Sequence, residues 1–312
     1  MAKQPTIRVL LCLAFHHHWF IKKLDISNAF LYGTLEDEVD MDQPQGFIDP
    51  QYPSHGFLLS HSDSSLFVKT TSTSITIILV YVDDIWLTRS DSTLINAFLV
   101  HMHEVFSMKE LGVVSYFLCI SVQSHSHGFF LSQQKLVGGL QYLTITRPDI
   151  TLVVNQACQH MHSPSVGHFT VVKRILRYVK GTLPHGLSFT PGPFLLYAYT
   201  DSNWGGDSVD RRSTLGFCVF LGPNLISWSA KKQATVSRSS IEAEYRSMAH
   251  TAAELCWLQQ VLKELSISYS SLSVLWCDNV YAMALASNPV FHACSKYIEI
   301  DCHFIRERVA SK

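Results

Sequence analysis

The spacing of apolar and polar positions changes several times along the 312 residues, and each change marks an expected element. Ser74–Leu87 (SITIILVYVDDIWL) is β-branched and almost wholly apolar until Asp83 and Asp84 interrupt it, which predicts two short strands joined by a tight acidic turn. Upstream, Lys23–Phe30 (KLDISNAF) predicts a short strand carrying Asp25, then a helix start with Asn28 as a turn or cap residue. In Ser92–Phe106, apolar residues at 94, 95, 98, 99, 102 and 105 have helical spacing. The Ser/Gln/His/Gly-rich text between Ser121 and Gly139 predicts a hairpin or loose connection. Residues 149–181 read as helices, with Phe169, Val172, Leu176 and Val179 as one stripe, Lys173, Arg174, Arg177 and Lys180 as the polar face, and Gly181 as the stop. A Pro/Gly-rich linker is expected from Pro184 to Pro193.

Beyond it come three strand-like runs, Phe194–Thr200, Thr214–Gly222 and Asn224–Ala230. A long helix follows: Ser239-x-x-Glu242 has the form of a capping box, and Ile241, Tyr245, Met248, Ala252, Leu255 and Leu262 give its buried stripe. Ser273–Cys277 then reads as a strand ending at Asp278, Asn279–Ser287 as a short helix stopped by Pro289, and Tyr297–Val309 as a final helix. The predicted order is β-β-β-α-β-α-α, an α/β (α+β) chain.

Charge alters this picture locally. Lys and Arg (24) nearly balance Asp and Glu (25), which removes any case for a wholly basic nucleic-acid coat. Yet residues 21–110 hold thirteen acids and five bases, whereas 171–240 hold nine bases and three acids, so only the second stretch suits a phosphate backbone unaided. The longest apolar runs, Val9–Phe15 and Ile75–Val82, fall far short of the roughly 18 residues needed to span a bilayer, so no membrane helix is expected. Lys3 and Arg8 before VLLCLAF faintly suggest a secretory signal, but His16, His17 and His18 stand where a small-residue cleavage site belongs. The eight cysteines form no CxxC pair, which argues against a zinc site or disulfide framework and fits a reducing, intracellular location, cytoplasmic or nuclear.

Candidate chemistry rests on acids. Strand parity groups Asp201 with Leu195, Tyr197 and Tyr199, a row expected to face inward, and an inward acid is costly unless paired or metal-bound. Glu244, three residues after Ile241 and four before Met248, falls on the core side of the long helix. Glu242 lies about 200° away at 3.6 residues per turn and is placed to pair with Arg246. Asp278 closes a strand just before a helix, a usual place for a functional residue in an open α/β sheet. Such a trio repels itself unless cations neutralise it, and oxygen-only ligands suit Mg²⁺ or Mn²⁺. Asp25 with Asp83 and Asp84 forms a second potential metal cluster.

The segments LDISNAF, LVYVDDI, YLTITRPDI, RILRYVKGT, YTDSNWGGDSVDRRSTLGFCVFLG, ISWSAKKQATVSRSSIEAEYRSMA and CDNVYAMALASNPVFH together resemble the reverse transcriptase and RNase H parts of a copia-type retrotransposon Pol polyprotein, over nearly the whole chain. The resemblance implies a partial reverse transcriptase palm over 1–135, a helical connection and linker over 136–193, and an RNase H-like mixed-sheet domain over 194–312. It implies that Asp25, Asp83 and Asp84 are polymerase metal ligands, and that Asp201, Glu244 and Asp278 are RNase H carboxylates hydrolysing the RNA strand of RNA–DNA hybrids with Mg²⁺ or Mn²⁺, giving 3′-hydroxyl and 5′-phosphate ends. No small-molecule cofactor and no membrane partner are implied, and oligomeric state is left open.

The chain also departs from the family pattern. A basic, aromatic segment resembling LHKSLYGLKQAPR is missing where Gly46–Asp63 makes a short polar link, and SQQK runs directly into LVGG at Gln134–Gly138, where the family has a helix and connection. The family's N-terminal fingers have no counterpart before Asp25, and beyond RERV it carries one more strand and a helix whose Asp completes the RNase H metal site. These departures imply lost polymerase activity and leave three readings: an RNase H-type endonuclease, a non-catalytic transposon-derived remnant that binds nucleic acid or folds only partly, and an active RNA-directed DNA polymerase. Glu299 and Asp301 are expected on a solvated helix face rather than as the fourth ligand. Arg211, Arg212, Lys231 and Lys232 are the expected phosphate contacts, at strand edges beside the acids. Trp204 and Trp228 are expected to be packed, and the histidine run to be free of metal.

Overall fold

The computed structural model describes residues 3–26, 57–72, 74–81, 84–89, 99, 108–114, 116–117, 120–125, 128–132, 139–160, 163, 165–267, 272–287 and 298–310. They form two compact units, Met1–Leu118 with Gln259–Ser268, and Cys119–Leu258 with Tyr269–Lys312.

The first unit opens with helix α1 (Gln4–His16), which has Pro5 in its first turn, where a missing N–H costs nothing. Its first turn is capped from a distance: the buried Asp63 carboxylate accepts from the Lys3 amide at 3.0 Å and from the Thr6 hydroxyl at 2.6 Å. Strands β1 (Ile21–Ile26), β2 (Leu58–Leu59), β3 (Leu66–Thr70), β4 (Ile75–Tyr81), β5 (Asp84–Arg89) and β6 (Met108–Val113) make a sheet of order β2-β3-β4-β5-β1-β6. The expected hairpin is there: β4 pairs antiparallel with β5, Tyr81 opposite Asp84. Leu24, Ile78, Ile85 and Leu87 bury one face of this sheet together with Leu99. Asn28, Asp83 and, apart from Leu99, the expected helix of Ser92–Phe106 lie outside the described residues. A two-residue strand, β7 (Tyr116–Phe117), ends the unit's first segment.

In the second unit, β8 (Ile120–His125) and β9 (Gly128–Ser132) form the hairpin expected from the Ser/His/Gly text. Helices α2 (Gly139–Leu143), α3 (Thr151–Cys158) and α4 (Val166–Gly181) pack through Leu143, Ile150, Val154, Ile175 and Val179. The expected α4 stripe is therefore shifted: Phe169 and Leu176 are exposed, and Ile175 joins Val179 in the core. Both stripes have helical spacing, and contact with α3 selects one of them. The Pro/Gly-rich stretch is also more than a linker, because Leu187–Phe189 forms strand β10 and pairs with β9.

The remaining elements follow the predicted order: β11 (Leu196–Asn203), β12 (Thr214–Leu221), β13 (Asn224–Lys232), α5 (Ser240–Glu264), β14 (Val274–Cys277), α6 (Val280–Ser287) and α7 (Glu299–Ala310). The sheet order is β13-β12-β11-β14, antiparallel except that β14 runs parallel to β11, with Thr200 beside Cys277. A parallel neighbour needs a crossover, which the long α5 supplies. Tyr245, Met248 and Ala249 of α5 bury against Ala282 and Ala286 of α6 and Cys302 and Ile305 of α7. Full burial of side chains the size of Met248 and Ile305 contributes about 1.5–3 kcal/mol each, and of the alanines less.

One expectation is overturned in β11. Leu196, Ala198, Thr200 and Ser202 are its buried row, whereas Leu195 (43% exposed) and Tyr199 (52% exposed) face out, and Asp201 shares their side. FLLYAYT offers apolar residues at both parities, and the two tyrosines tolerate the open face because Tyr197 stacks on Phe220 at 5.1 Å.

Candidate metal centre

Asp201 lies near the end of β11, and the hydroxyl of Ser247 on α5 donates to its backbone carbonyl at 2.8 Å. Thr200 and Ser247 hydroxyls are 2.8 Å apart, and Thr251 reaches Thr200 at 3.0 Å. This small buried polar seam fixes helix against strand, and thereby Glu244, one turn earlier on α5, against Asp201. The α5 start is set locally: Ser239 Oγ accepts from the Glu242 amide at 3.2 Å, while Glu242 Oε2 accepts from the Arg238 amide at 2.8 Å. Glu242 also pairs with Arg246 at 2.7 Å, so it is neutralised and turned away as its spacing predicts.

Among the described residues, no such cation pairs with Glu244. Its Oε1 accepts from the Ser202 amide at 3.1 Å, and the same N–H lies 2.7 Å from Asp201 Oδ1, so two carboxylates share one donor. Glu244 Oε2 is buried without a hydrogen-bond partner. Burial pushes the Glu244 carboxyl up to about 7; the Ser202 amide opposes the rise, and the negative charges of Asp201 and Asp278 add to it.

Asp278 is placed by the end of β14 and the start of α6, where Asn279 Oδ1 accepts from the Ala282 amide at 3.0 Å as an N-cap. Glu244, Cys277 and Asp278 each offer a donor atom, and these lie within 4.8 Å of one another. The structure thus brings Glu244 beside Cys277 and Asp278, while Asp201, exposed and outside that grouping, meets Glu244 through the shared Ser202 amide. A buried oxygen lacking a partner among carboxylates fits a divalent cation, whose two positive charges would offset those of Glu244 and Asp278.

Other candidates are less concentrated. Asp25 sits opposite Asp84 across the β1–β5 pair, and Lys23 Nζ lies 2.8 Å from Asp84 Oδ1, while Asp83 is outside the described residues. Lys232 holds Asp207 at 2.6 Å and Asp210 at 2.7 Å, which depresses both carboxyls, so it is tied into the loop after β11. Arg212 lies 3.6 Å from Asp210, whereas Lys231 and Arg211, the latter with φ of +57°, are exposed. Trp228 is half-buried and donates to the Thr144 carbonyl at 3.2 Å; Trp204 donates to the Ser237 carbonyl at 3.0 Å but stays 53% exposed. Glu299 is exposed, but Asp301 is half-buried, raised by burial and held partly in check by Arg246 and His250. Ser202, Ser247 and Cys277 were missed by sequence reasoning. Once β11 parity is known, Ser202 is an inward polar residue, and Cys277 immediately precedes a candidate acid.

Residues 48–147 match the family model for the reverse transcriptase (RNA-dependent DNA polymerase). Nearly all of the chain (99%) aligns with the Retrovirus-related Pol polyproteins from transposons RE2 and RE1 of Arabidopsis thaliana, at 39% and 40% identity. The chain belongs to the copia-type retrotransposon Pol family. It spans 26% of the length of those two Pol proteins. It is also 46% identical, over 58% of its length and 93% of the relative's, to the Uncharacterized mitochondrial protein AtMg00810 of the same plant. The RE2 alignment runs over 382 positions against 312 residues, so at least 70 positions of that Pol protein lie opposite no residue here. Internal segments of the Pol pattern are therefore absent from this chain. No described helix is long and apolar enough to cross a membrane.

Proposed function

We propose that the second unit of this Pol chain is an RNase H-like nuclease that hydrolyses the RNA strand of RNA–DNA hybrids, with Asp201, Glu244 and Asp278 as its metal-holding residues. The observation that carries this reading is the buried, unpartnered Glu244 oxygen beside two further carboxylates. Divalent ions, Mg²⁺ or Mn²⁺, would supply Lewis acidity at the phosphodiester when bound there. The chain's own contribution is positional: Ser202 orients Glu244 and Asp201 through one N–H, Ser247 ties Asp201 to α5, and the Asn279 cap holds Asp278. Arg211 and Lys231, exposed in the basic stretch, are the proposed phosphate contacts; Arg212 and Lys232 are the weaker pair because each already faces an acid. A cytoplasmic or nuclear location belongs to the same proposal, supported by eight cysteines with no CxxC pair. Incubating the full chain with labelled hybrid and Mg²⁺ tests the reading: cleavage is expected, and cleavage surviving in the Asp201→Asn, Asp278→Asn double variant overturns the metal mechanism.

Loss of polymerase activity is part of the same proposal, supported by the absent internal segments and by the Lys23–Asp84 pair. A second reading, an RNA-directed DNA polymerase in the first unit, is favoured by the family match over 48–147, a family that usually uses divalent metals, and by Asp25 standing opposite Asp84. Primer extension with deoxynucleotides decides between them, and no product is expected. A non-catalytic, nucleic-acid-binding remnant corresponds to hybrid binding without cleavage.

A further inference from the structure

The hydrolytic reading leaves one donor of the acid cluster unused. Cys277 ends β14, whose side chains alternate so that Leu275 and Cys277 turn toward the α5 side while Val274 and Trp276 face out. Its sulfur is a free thiol lying within 4.8 Å of donor oxygens of both Glu244 and Asp278. Glu244 is 6% exposed, and its Oε2 meets no hydrogen-bond partner. That oxygen is the independent mark of a ligand, since a buried carboxylate oxygen is otherwise satisfied.

We propose that Cys277, Glu244 and Asp278 form a mixed thiolate–carboxylate site for a thiophilic divalent cation of the zinc class, which competes with Mg²⁺ for the two shared carboxylates. Mg²⁺ takes oxygen ligands in near-octahedral array and has little use for sulfur. Zn²⁺ accepts sulfur and oxygen donors, needs only three protein ligands, and stands above Mn²⁺ in affinity at a given site. Binding forms one metal–sulfur bond and releases the Cys277 thiol proton to solvent, with no change of oxidation state. Two carboxylates and a thiolate then more than offset the cation's two positive charges. The donors are held ready by the parallel β11–β14 pairing and by the Asn279 cap, which fix the backbone at residues 277 and 278. Among the described residues, Cys12, Cys218, Cys256 and Cys302 have no comparable grouping of acids. The cation site rests on geometry alone, whereas the competition with Mg²⁺ rests on the hydrolytic reading above.

The test uses the full chain and Cd²⁺ as probe, under a phosphine reductant, following the ultraviolet cadmium–thiolate charge-transfer band. The band should rise to saturation at one equivalent in the wild type and in Cys256→Ser, and be lost in Cys277→Ser and Cys277→Ala. In Glu244→Gln the apparent Cd²⁺ affinity should fall by about tenfold or more. Circular dichroism establishes that each variant is folded, and a folded Cys277→Ala keeps the test decisive if Cys277→Ser is not. A band that persists without Cys277, a wild type with no band, or an affinity unmoved by Glu244→Gln overturns the site. Cleavage of hybrid in Mg²⁺ without any band sinks this site and leaves the nuclease reading standing; a band without cleavage does the reverse. Where both occur, Zn²⁺ should suppress wild-type cleavage, and cleavage indifferent to saturating Zn²⁺ overturns the competition.

Discussion

Two acid clusters, one in each unit, differ in how their charge is answered. In the first, Asp84 stands opposite Asp25 in an antiparallel pair and already has Lys23 at 2.8 Å. In the second, the acids come from a strand, a helix and a following strand end, and Glu244 keeps a buried oxygen without a partner. A carboxylate with its own lysine gains less from a cation than one without, so an exogenous ion has more to offer the second cluster. Acids drawn from separated parts of the chain also show what holds a site open. The polar seam of Thr200, Ser247 and Thr251 and the Asn279 cap spend buried hydrogen bonds where apolar packing would serve stability as well.

The comparison breaks most visibly if the second cluster proves dispensable. The Asp201→Asn, Asp278→Asn double variant should lower Mg²⁺-dependent hybrid cleavage by about 100-fold or more, since even outer-shell partners of metal ligands cost about 10–100-fold when lost; an initial-rate assay checks it.

A smaller effect comes from charge without metal. Because the Glu244 carboxyl in the folded protein rises from an ordinary 4.5 to about 7, the folded state holds the proton more tightly than the unfolded one. The metal-free protein should therefore lose about 2 kcal/mol as pH rises from about 4.5 through about 7. Glu244→Gln should flatten that slope in chemical denaturation, and an unchanged slope would place the proton elsewhere.

Ser247→Ala sharpens the positional argument. It strips the Asp201 carbonyl of a donor at 2.8 Å, and about 1–1.5 kcal/mol of stability should go with it. If the serine positions Asp201, kcat should fall with KM nearly unchanged, whereas a merely structural role would leave kcat intact in the folded fraction. The smallest effect on activity belongs to the first cluster: Lys23→Met should yield no primer-extension product, while leaving Asp84 without its lysine should cost about 1–3 kcal/mol in thermal unfolding, since the two side chains are only 14% and 20% exposed. Extension appearing in that variant would mean that the lysine alone silences the cluster.

Much of this was legible in the sequence because the signals were local. The DD turn after an apolar run located the β4–β5 hairpin, and Ser239 with Glu242 located the start of α5. Glu244 stood out as an acid on a core-facing helical position, and Glu242 as its neighbour paired with Arg246. What escaped was decided by packing. FLLYAYT has apolar side chains at both parities, so only contact with α5 shows that Ala198 and Thr200, not Tyr197 and Tyr199, face inward. In the same way, contact with α3 chooses Ile175 over Leu176 on α4. Lys232 reads as a free cation until the loop after β11 folds back and brings Asp207 and Asp210 onto it. Cys277 is an ordinary strand residue until β14 docks parallel to β11 and brings its sulfur beside Glu244.

The most direct test of a single cation centre is a Mn²⁺ titration of the full chain followed by loss of the free-ion electron paramagnetic resonance signal. Binding should saturate in the wild type and weaken in Asp201→Asn, Glu244→Gln and Asp278→Asn alike, each acting on the same site. Undiminished Mn²⁺ binding in all three folded variants would contradict the account.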